Sequence, residues 1–381
     1  MKKAVCFAVL FVTLLSFTSC SGNTKSREIK NRVIIQGIGF DTAENGKLLI
    51  SFQTLNTDVS TNSSSDSSPD SLVKCYKTEA LSLSEALKNL ASATGKMPLV
   101  SQNRIVIFGS NFARVGITYC LDEFIRDAEN RFTVISAVSQ SRAEDIVFAA
   151  LGENVIPARI CEKVLKQSAS KPENCATELY EVINSVLTDR AFVLPVIAVN
   201  DREETEFLTV TGAGLFKDGK LVNILNPDVF KGIGFLKNRV RDGSLGIMSD
   251  GGVLSVNIIK SKTEINFENT DKIRTHVRIR TTCSLAENNR DFLKPADTEF
   301  IKKTEELTSA ETTKLVETSL RECIINNSAD VFGITERIKR KYPSAFKNGD
   351  IDIKDIEFSV YTESKIEKTG DFAVRVSGRE K

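Results

Sequence analysis

The sequence predicts a mixed α/β protein of the α+β type, arranged as three consecutive domains behind a cleaved N-terminal signal. Strand-like apolar segments alternate with amphipathic helical segments over residues 72–151, an order typical of helices packed on a sheet. Residues 298–327 contain no Gly or Pro and predict a long helix. Apolar and polar residues alternate on both sides of that helix, which predicts a mostly antiparallel last sheet. The predicted domains are residues 20–152, 153–245 and 246–381.

Residues 1–19 have the features of a secretory signal peptide. Lys2 and Lys3 precede an uncharged apolar run that ends at Phe17, and small residues lead from it to Cys20. The run is shorter than the ~20 apolar residues that a membrane-spanning helix needs. A cysteine at this position resembles the lipobox of bacterial lipoproteins, in which the sulfur carries a diacylglyceryl group. Cys20 is therefore the predicted lipid attachment site, and an ordinary cleaved signal with an incidental cysteine is the alternative.

Charge and cysteine spacing restrict the partners and the redox chemistry. The formal charge of +1 becomes −1 once Lys2 and Lys3 leave with the signal, so no positive excess remains to bind nucleic acid. The six cysteines after Cys20 are widely spread, which favours free, buried thiols over disulfides. Only Cys161 and Cys175 form a plausible pair. The six are Cys75, Cys120, Cys161, Cys175, Cys283 and Cys323.

The first domain begins with a predicted β-hairpin and then alternates strands with helices. Asn45-Gly46 is a strong hairpin signal between the strand-like segments of residues 32–55. Residues 57–71 lack apolar side chains almost entirely and predict a mobile Ser-rich loop. The remaining predictions are strands at 72–79, 104–108 and 132–138, a helix after Ser82 or Ser84, a helix from Asn111 to Ile125, and a helix from Ser141 to Leu151.

The middle domain combines helices and a set of strands. Asn226 and Pro227 predict the start of its last helix, because proline suits a first turn. Residues 241–252 are rich in Gly and Asp and predict the boundary to the third domain. The other predictions are helices at 156–166 and 176–187 and strands at 192–199, 207–216 and 221–225.

The third domain is predicted as β–α–β. One strand places Ile273, Val277 and Ile279 on its buried face and alternates them with charged residues on the wet face. The long helix is followed by a tail that ends at Tyr342-Pro343. A last strand over 350–361 changes parity between Ile353 and Ile356, which predicts a bulge. The wet-face residues are Arg274, His276, Arg278 and Arg280.

The sequence predicts no catalytic residues, no metal site and no cofactor. His276 is the only histidine, and its strand position indicates a solvated side chain rather than part of a Ser-His-Asp set. Three Gly-x-Gly pairs lack the third glycine of the dinucleotide fingerprint, so they are interpreted as relief of backbone crowding. The basic run 339–341 is interpreted as the charge complement of a helix C-terminus, with contact to anionic headgroups as the alternative.

Four motifs after Cys20 resemble the Ger(x)C family of spore germination lipoproteins, in the order that the family shows. The first is SREIKNRVIIQGIGFDTAENGK, with its GIGxD strand. The second is ALSLSEALKNL followed by RIVIFGSNFARVGITYCLDEFIRDAENRFTVISAV, which contains the pair Arg126 and Asp127. The third is GAGLFKDGKLVNIL. The fourth comprises KSKTEINF and DVFGITERIKRKYPSAFK.

The resemblance implies a non-enzymatic C subunit of a nutrient-germinant receptor. Its lipid on Cys20, added by prelipoprotein-processing enzymes, would hold it at the outer face of the spore inner membrane. It would assemble there with a membrane-embedded A subunit and a transporter-like B subunit. The alternative is an extracytoplasmic solute-binding lipoprotein of a transporter, a class that usually has two similar α/β lobes. A secreted hydrolase is disfavoured by the single histidine.

Overall fold

A computed structural model of the chain describes residues 31–57, 72–127, 129–167, 176–202, 205–249, 252–269, 272–288, 298–346 and 352–368. Cys20, Cys175 and nearly all of the predicted Ser-rich loop lie outside these ranges. No helix within the described ranges is both long enough and apolar enough to cross a bilayer.

A ten-stranded mixed sheet is the larger of the two sheets in the described ranges. Its strands are β1 (Arg32–Thr42), β2 (Leu48–Leu55), β3 (Val73–Ala80), β4 (Met97–Leu99), β5 (Ile105–Gly109), β6 (Ile135–Ser139), β7 (Thr177–Glu178), β8 (Phe192–Arg202), β9 (Thr205–Lys217) and β10 (Lys220–Leu225). The order is β10-β9-β8-β6-β5-β1-β2-β3, with β4 on β1 and β7 on β6. The four central strands are parallel, and antiparallel pairs extend the sheet at both edges.

Both faces of the central strands are buried, as parallel strands require. On β5, Val106 and Phe108 enter one apolar core, while Ile105 and Ile107 enter the core on the opposite face. The flanking helices are α1 (Leu83–Thr94), α2 (Ser110–Val115), α3 (Leu121–Arg126), α4 (Ala143–Val147), α5 (Pro157–Gln167), α6 (Leu179–Leu187) and α7 (Pro227–Leu236).

The second sheet has four strands in the order β11-β12-β13-β14. The strands are β11 (Ser244–Ser249), β12 (Gly252–Asn269), β13 (Ile273–Asn288) and β14 (Glu357–Lys368). The helices that accompany them are α8 (Thr298–Leu320) and α9 (Ile334–Lys341). A π-helical turn at Arg321–Asn326 continues α8. Pairing is antiparallel except between β13 and β14. One apolar core joins Phe230 of α7 to Val316 of α8 and Val277 of β13, so α7 packs into the third unit.

The predicted fold class and several elements are confirmed. The β1–β2 hairpin turns where predicted, and Gly46 there has a φ of +77°. Ser82 Oγ accepts from Glu85 N at 3.2 Å to cap α1, and Asn226 Oδ1 accepts from Val229 N at 2.9 Å to cap α7. The long helix lies on the second sheet.

The predicted helix from Asn111 to Ile125 is wrong in two respects. It begins at Ser110, so Asn111 is not its cap, and it breaks at Gly116, where φ is +135°. The break lets Ile117 N donate to Gly219 O at 2.9 Å. A long-range contact with the β9–β10 turn therefore replaces a continuous helix.

Two further segments differ from the predictions, and a third contains a strand that the sequence analysis does not name. The helix predicted to reach Leu151 ends at Val147. The predicted Gly-rich boundary contains β11, whose Leu245 and Ile247 face the core. The predicted bulge is wrong, because Ile353–Asp355 forms a 3-10 turn capped by the Asp352 side chain, and β14 begins only after it.

The division into three domains stays a prediction. Strands on both sides of residue 152 belong to the large sheet, and β6 pairs with β8 at Val138 and Val196.

Four described cysteines are buried free thiols, as predicted. Burial raises the pKa of the Cys161 thiol to about 12. The prediction is wrong for Cys75, which is exposed on the edge strand β3. The buried four are Cys120, Cys161, Cys283 and Cys323.

Candidate functional site

The GIGxD motif occupies the middle and end of β1, at the carboxyl edge of the parallel strands. A Cβ on Gly37 would lie 3.2 Å from the Ala158 Cβ, and one on Gly39 would lie 3.0 Å from the Ala143 Cβ. The two glycines therefore let α5 and α4 approach the sheet closely. This agrees with the interpretation of this pair as relief of crowding.

Asp41 ends the motif with a buried carboxylate, only 5% exposed. Its Oδ1 accepts from Ala143 N at 2.9 Å, and its Oδ2 accepts from Glu144 N at 3.0 Å. These two N–H groups are the first backbone donors of α4. Arg142 is the N-cap residue, and its side chain has no atom that could accept a hydrogen bond from them. Asp41 thus caps a helix more than 100 residues away in sequence.

Gln53 of β2 holds the other end of the same helix. Its Nε2 donates to Val147 O, the last residue of α4, and its Oε1 accepts from Ala158 N at 2.9 Å in α5. The side chain is fully buried, so both bonds are needed to offset its desolvation. Asp41 and Gln53 together form what we call the α4 clamp.

A cavity of about 330 Å³ opens beside the clamp, between Asp41, Asn111, Ser141 and Arg142. Burial raises the pKa of the Asp41 carboxyl, and this effect outweighs the opposing influence of the two backbone hydrogen bonds and of Arg142. Both carboxylate oxygens accept hydrogen bonds from the backbone of α4. The Asp41 side chain is therefore placed to fix the start of α4 rather than to transfer a proton to a substrate.

The Asp41 carboxyl gives a pH-dependent contribution to stability. A raised pKa means that the folded state holds its proton more tightly than the unfolded state, whose ordinary pKa is 3.8. We therefore expect the stability of the wild type relative to Asp41→Asn to fall as pH rises from below 3.8 through the raised folded pKa. Urea unfolding of both proteins from pH 3.5 to about 7 measures this. A difference that stays constant or increases with pH would contradict it.

His276 lies between a hydroxyl and a carboxylate on the wet face of the second sheet. Its Nδ1 is 2.7 Å from Ser359 Oγ and its Nε2 is 3.2 Å from Glu268 Oε2. The set superficially resembles a hydrolase triad, but His276 is 46% and Glu268 54% exposed. The β13 backbone is paired on both sides, so its N–H groups beside His276 are not available as oxyanion-hole donors. The set is a cross-strand polar ladder, and the predicted exposed position of His276 is confirmed.

The larger cavities are open and lined by residues already engaged. One of about 570 Å³ lies between α7, β12 and α9, where Arg337 donates to Ile265 O at 3.0 Å and lies 5.1 Å from the Phe267 ring. Another of about 830 Å³ lies beside α4 and β8, where Glu206 accepts from Ala150 N. Across the described ranges, no three His, Cys, Asp or Glu side chains converge as metal ligands.

Two family models match consecutive parts of the chain. The spore germination protein N-terminal domain covers residues 25–199, and the spore germination B3/GerAC-like C-terminal domain covers residues 211–370. The chain belongs to the Ger(x)C family. The GIGxD strand, α4 and the clamp therefore fall within the N-terminal Ger(x)C model, and the second sheet with α8 falls within the C-terminal one.

Individual Ger(x)C relatives are distant in sequence. The protein YfkR of Bacillus subtilis (strain 168), whose name ties it to spore germination, is 22% identical over 215 residues, which is 55% of each chain. Spore germination protein A3 of the same organism is 22% identical over 272 residues, 67% of this chain and 66% of that one. The match to YfkR thus spans about half of that protein's length.

A solved Ger(x)C structure shares the fold. The crystal structure of the GerBC protein superposes with a TM-score of 0.56 at 16% identity, over 87% of this chain and 97% of that one. The mixed α/β class predicted from the sequence is thereby confirmed. At this identity the superposition supports the architecture, and the roles of individual side chains rest on the contacts described above.

Sequence reasoning found the GIGxD motif but missed its partners. Asp41 and Gln53 reach donors and acceptors that lie 94 to 105 positions away. A polar residue inside a buried strand is the one local signal, and Gln36, Asp41 and Gln53 all carry it. Cys20, the one predicted attachment residue, lies outside the described ranges.

Proposed function

We propose that the protein is a lipid-anchored, non-enzymatic C subunit of a spore germinant receptor. The observation that carries the proposal is the match of both Ger(x)C domain models, which together span most of the chain. The lysine-led apolar run that ends at Cys20 supports attachment through a diacylglyceryl group on that sulfur. Two acyl chains suffice for stable anchoring, at ~0.8 kcal/mol per buried methylene.

The proposed location is the outer face of the spore inner membrane. There the subunit would associate with the membrane-embedded A and B subunits of the receptor and support their response to nutrients. Prelipoprotein-processing enzymes would act on it first. Family membership supports this assembly, and the signal-like N-terminus supports export across the membrane.

The contacts of the most reactive-looking groups support a role without catalysis. Asp41 holds a helix terminus through both carboxylate oxygens. His276 takes part in an exposed ladder with Ser359 and Glu268. Four thiols are buried free cysteines, and burial keeps such thiols protonated.

Replacement of Cys20 by Ala tests the proposal in spores. We expect the variant to leave the membrane fraction and to lose most of the nutrient response, while germination triggered by dodecylamine continues. Cys75→Ala is the matched control, because Cys75 is exposed on an edge strand far from the anchor in sequence. It should retain both membrane location and nutrient response.

Two results would contradict the proposal. The first is a normal nutrient response in spores with Cys20→Ala and in spores that lack the gene. The second is strong thermal stabilisation of the purified protein by a nutrient, since a ligand of the native state raises apparent stability; that result would favour a solute-binding lipoprotein.

A further inference from the structure

Exposed apolar side chains gather at the edge of the large sheet where the described chain begins. Parallel β1, β5 and β6 present their amino ends at this edge, and β1 starts there at Arg32. Met97 is 48%, Ile125 44%, Phe132 44% and Tyr180 50% exposed. We call these four residues the amino-edge patch.

Contacts around Arg32 bring the segments of the patch together. Met97 is the partner of Arg32 in the β1–β4 pair. Arg32 Nη1 lies 3.5 Å from Pro98 O and 3.8 Å from Glu129 Oε2, which ties β4 to the turn between Ile125 and Phe132. Tyr180 N donates to Phe132 O at 3.0 Å. The four apolar side chains thus belong to four segments that these contacts connect near Arg32, at the start of β1.

The chain between the anchor and this edge is short. Arg32 lies twelve positions after Cys20, a length that spans about 40 Å if fully extended and about 20 Å as a flexible coil. A protein anchored at Cys20 therefore keeps this edge nearer the bilayer than the opposite edge of the sheet. We propose that the amino-edge patch rests in the lipid–water interface and sets the orientation of the protein on the membrane. This rests on the proposed anchoring at Cys20.

The chemistry of the patch fits an interface rather than a charged surface. Phe and Tyr partition well into the interfacial layer because their rings are apolar and Tyr keeps a polar end in water. The surrounding charges are of both signs, so attraction to anionic lipids is not the driving force. We expect the contact to be nearly independent of anionic lipid content. Within four positions of a patch residue in the sequence, or paired with one, the charged residues are Arg32, Lys96, Asp122, Glu123, Arg126, Asp127, Glu129, Arg131, Glu178 and Glu181.

The absence of tryptophan from the chain allows a direct test. Phe132→Trp and Tyr180→Trp place a single fluorophore in the patch, and Met248→Trp places one on β11, at a position that is 83% exposed. The full mature chain, with Cys20→Ser and a hexahistidine tag before residue 20, is bound to phosphatidylcholine vesicles through a nickel-chelating lipid. Some vesicles contain acyl chains brominated near the headgroup.

The proposal predicts a blue shift and strong quenching by brominated lipid for the Trp at 132 and at 180, with neither change for the Trp at 248. Phe132 and Tyr180 are both about half exposed, so the test can still be made at one position if the variant at the other fails to fold. Absence of quenching at both patch positions, or equal quenching at all three, would overturn the proposal. The chelating lipid replaces the natural anchor, so failure of lipid attachment at Cys20 in cells would refute the proposed function without changing this measurement.

Discussion

Alanine at Gly232 should destabilise the protein by about 2 kcal/mol through forced separation of α7 and α8. A Cβ at this position would lie 2.2 Å from Leu315 O and 2.1 Å from Ser319 Oγ. The serine hydroxyl could rotate, although it would lose its 2.7 Å bond to Val229 O. The backbone carbonyl cannot move without the helix, so the two helices must shift apart by about 1 Å to restore ordinary contact.

The direction of the effect follows from two opposing terms. Alanine in a helix interior is favoured over glycine by about 1 kcal/mol. Overpacking of a well-filled core costs about 1–3 kcal/mol and sometimes more, and here it falls on the core that joins Phe230 to Val316. The clash outweighs the gain in helix propensity. Because the clash is with a backbone carbonyl, we place the overpacking cost at the upper end of that range and expect a net loss of about 2 kcal/mol at Gly232.

Urea unfolding followed by far-UV circular dichroism measures this loss. The matched control is Gly246→Ala on the edge strand β11, because a Cβ there meets nothing within 4 Å. The control should change the free energy of unfolding by less than about 0.5 kcal/mol. Equal midpoints for the wild type and Gly232→Ala would show that the helices do not pack as described.

Local patterns predicted the elements whose signals are local. Asn45-Gly46 gave the hairpin turn, and Asn226 with Pro227 gave the start of α7. On β13, Val277 and Ile279 are buried while the predicted charged face is exposed. In each case the decisive interaction lies within a few residues, so the sequence alone carries it.

Predictions failed where distant parts of the chain decide the outcome. Gly116 interrupts a good helical pattern because the β9–β10 turn accepts a hydrogen bond from Ile117. The pairing of Val138 with Val196 is likewise not predicted, because strand pairing over such separations leaves no local periodicity.

The helix on the second sheet illustrates a partial success. Val316, Leu320, Cys323 and Ile324 form the apolar stripe that their helical spacing predicts, and all four are buried. The preceding turns of α8 bury Thr304 and Thr308 instead. Both hydroxyls donate to carbonyls four residues earlier, at 2.9 and 2.7 Å. When the hydroxyl of a buried threonine donates to a carbonyl of its own helix, it needs no partner elsewhere in the protein. The sequence alone therefore does not distinguish such a threonine from an exposed one.

The candidate site shows the same limit more sharply. The sequence marked GIGxD as a motif, yet the role of Asp41 depends on α4, whose first residue is 102 positions away. It also depends on Gly109 of β5, because a Cβ there would lie 2.0 Å from Asp41 Oδ1 and 3.2 Å from Ala143 N. The glycine and the carboxylate therefore form one unit.

Alanine at Gly109 should cost about 3 kcal/mol, because it displaces the Asp41 carboxylate from its two backbone donors, Ala143 N and Glu144 N. Removal of the carboxylate by Asp41→Ala loses the same two hydrogen bonds and should cost about 2–3 kcal/mol. Once the carboxylate is absent, the two closest contacts of a Cβ at 109 are removed, and the next is Ala143 N at 3.2 Å. The second substitution should then cost little.

The four proteins of this double-mutant cycle thus test the unit directly. We expect the Gly109→Ala, Asp41→Ala double variant to be more stable than the sum of the single losses predicts, by about 2 kcal/mol. The same cycle with Gly246→Ala in place of Gly109→Ala should be additive within about 0.5 kcal/mol. Additivity at Gly109 as well would mean that the glycine serves the backbone of β5 alone. The expected coupling would instead show that the last residue of GIGxD is held for its contact with α4.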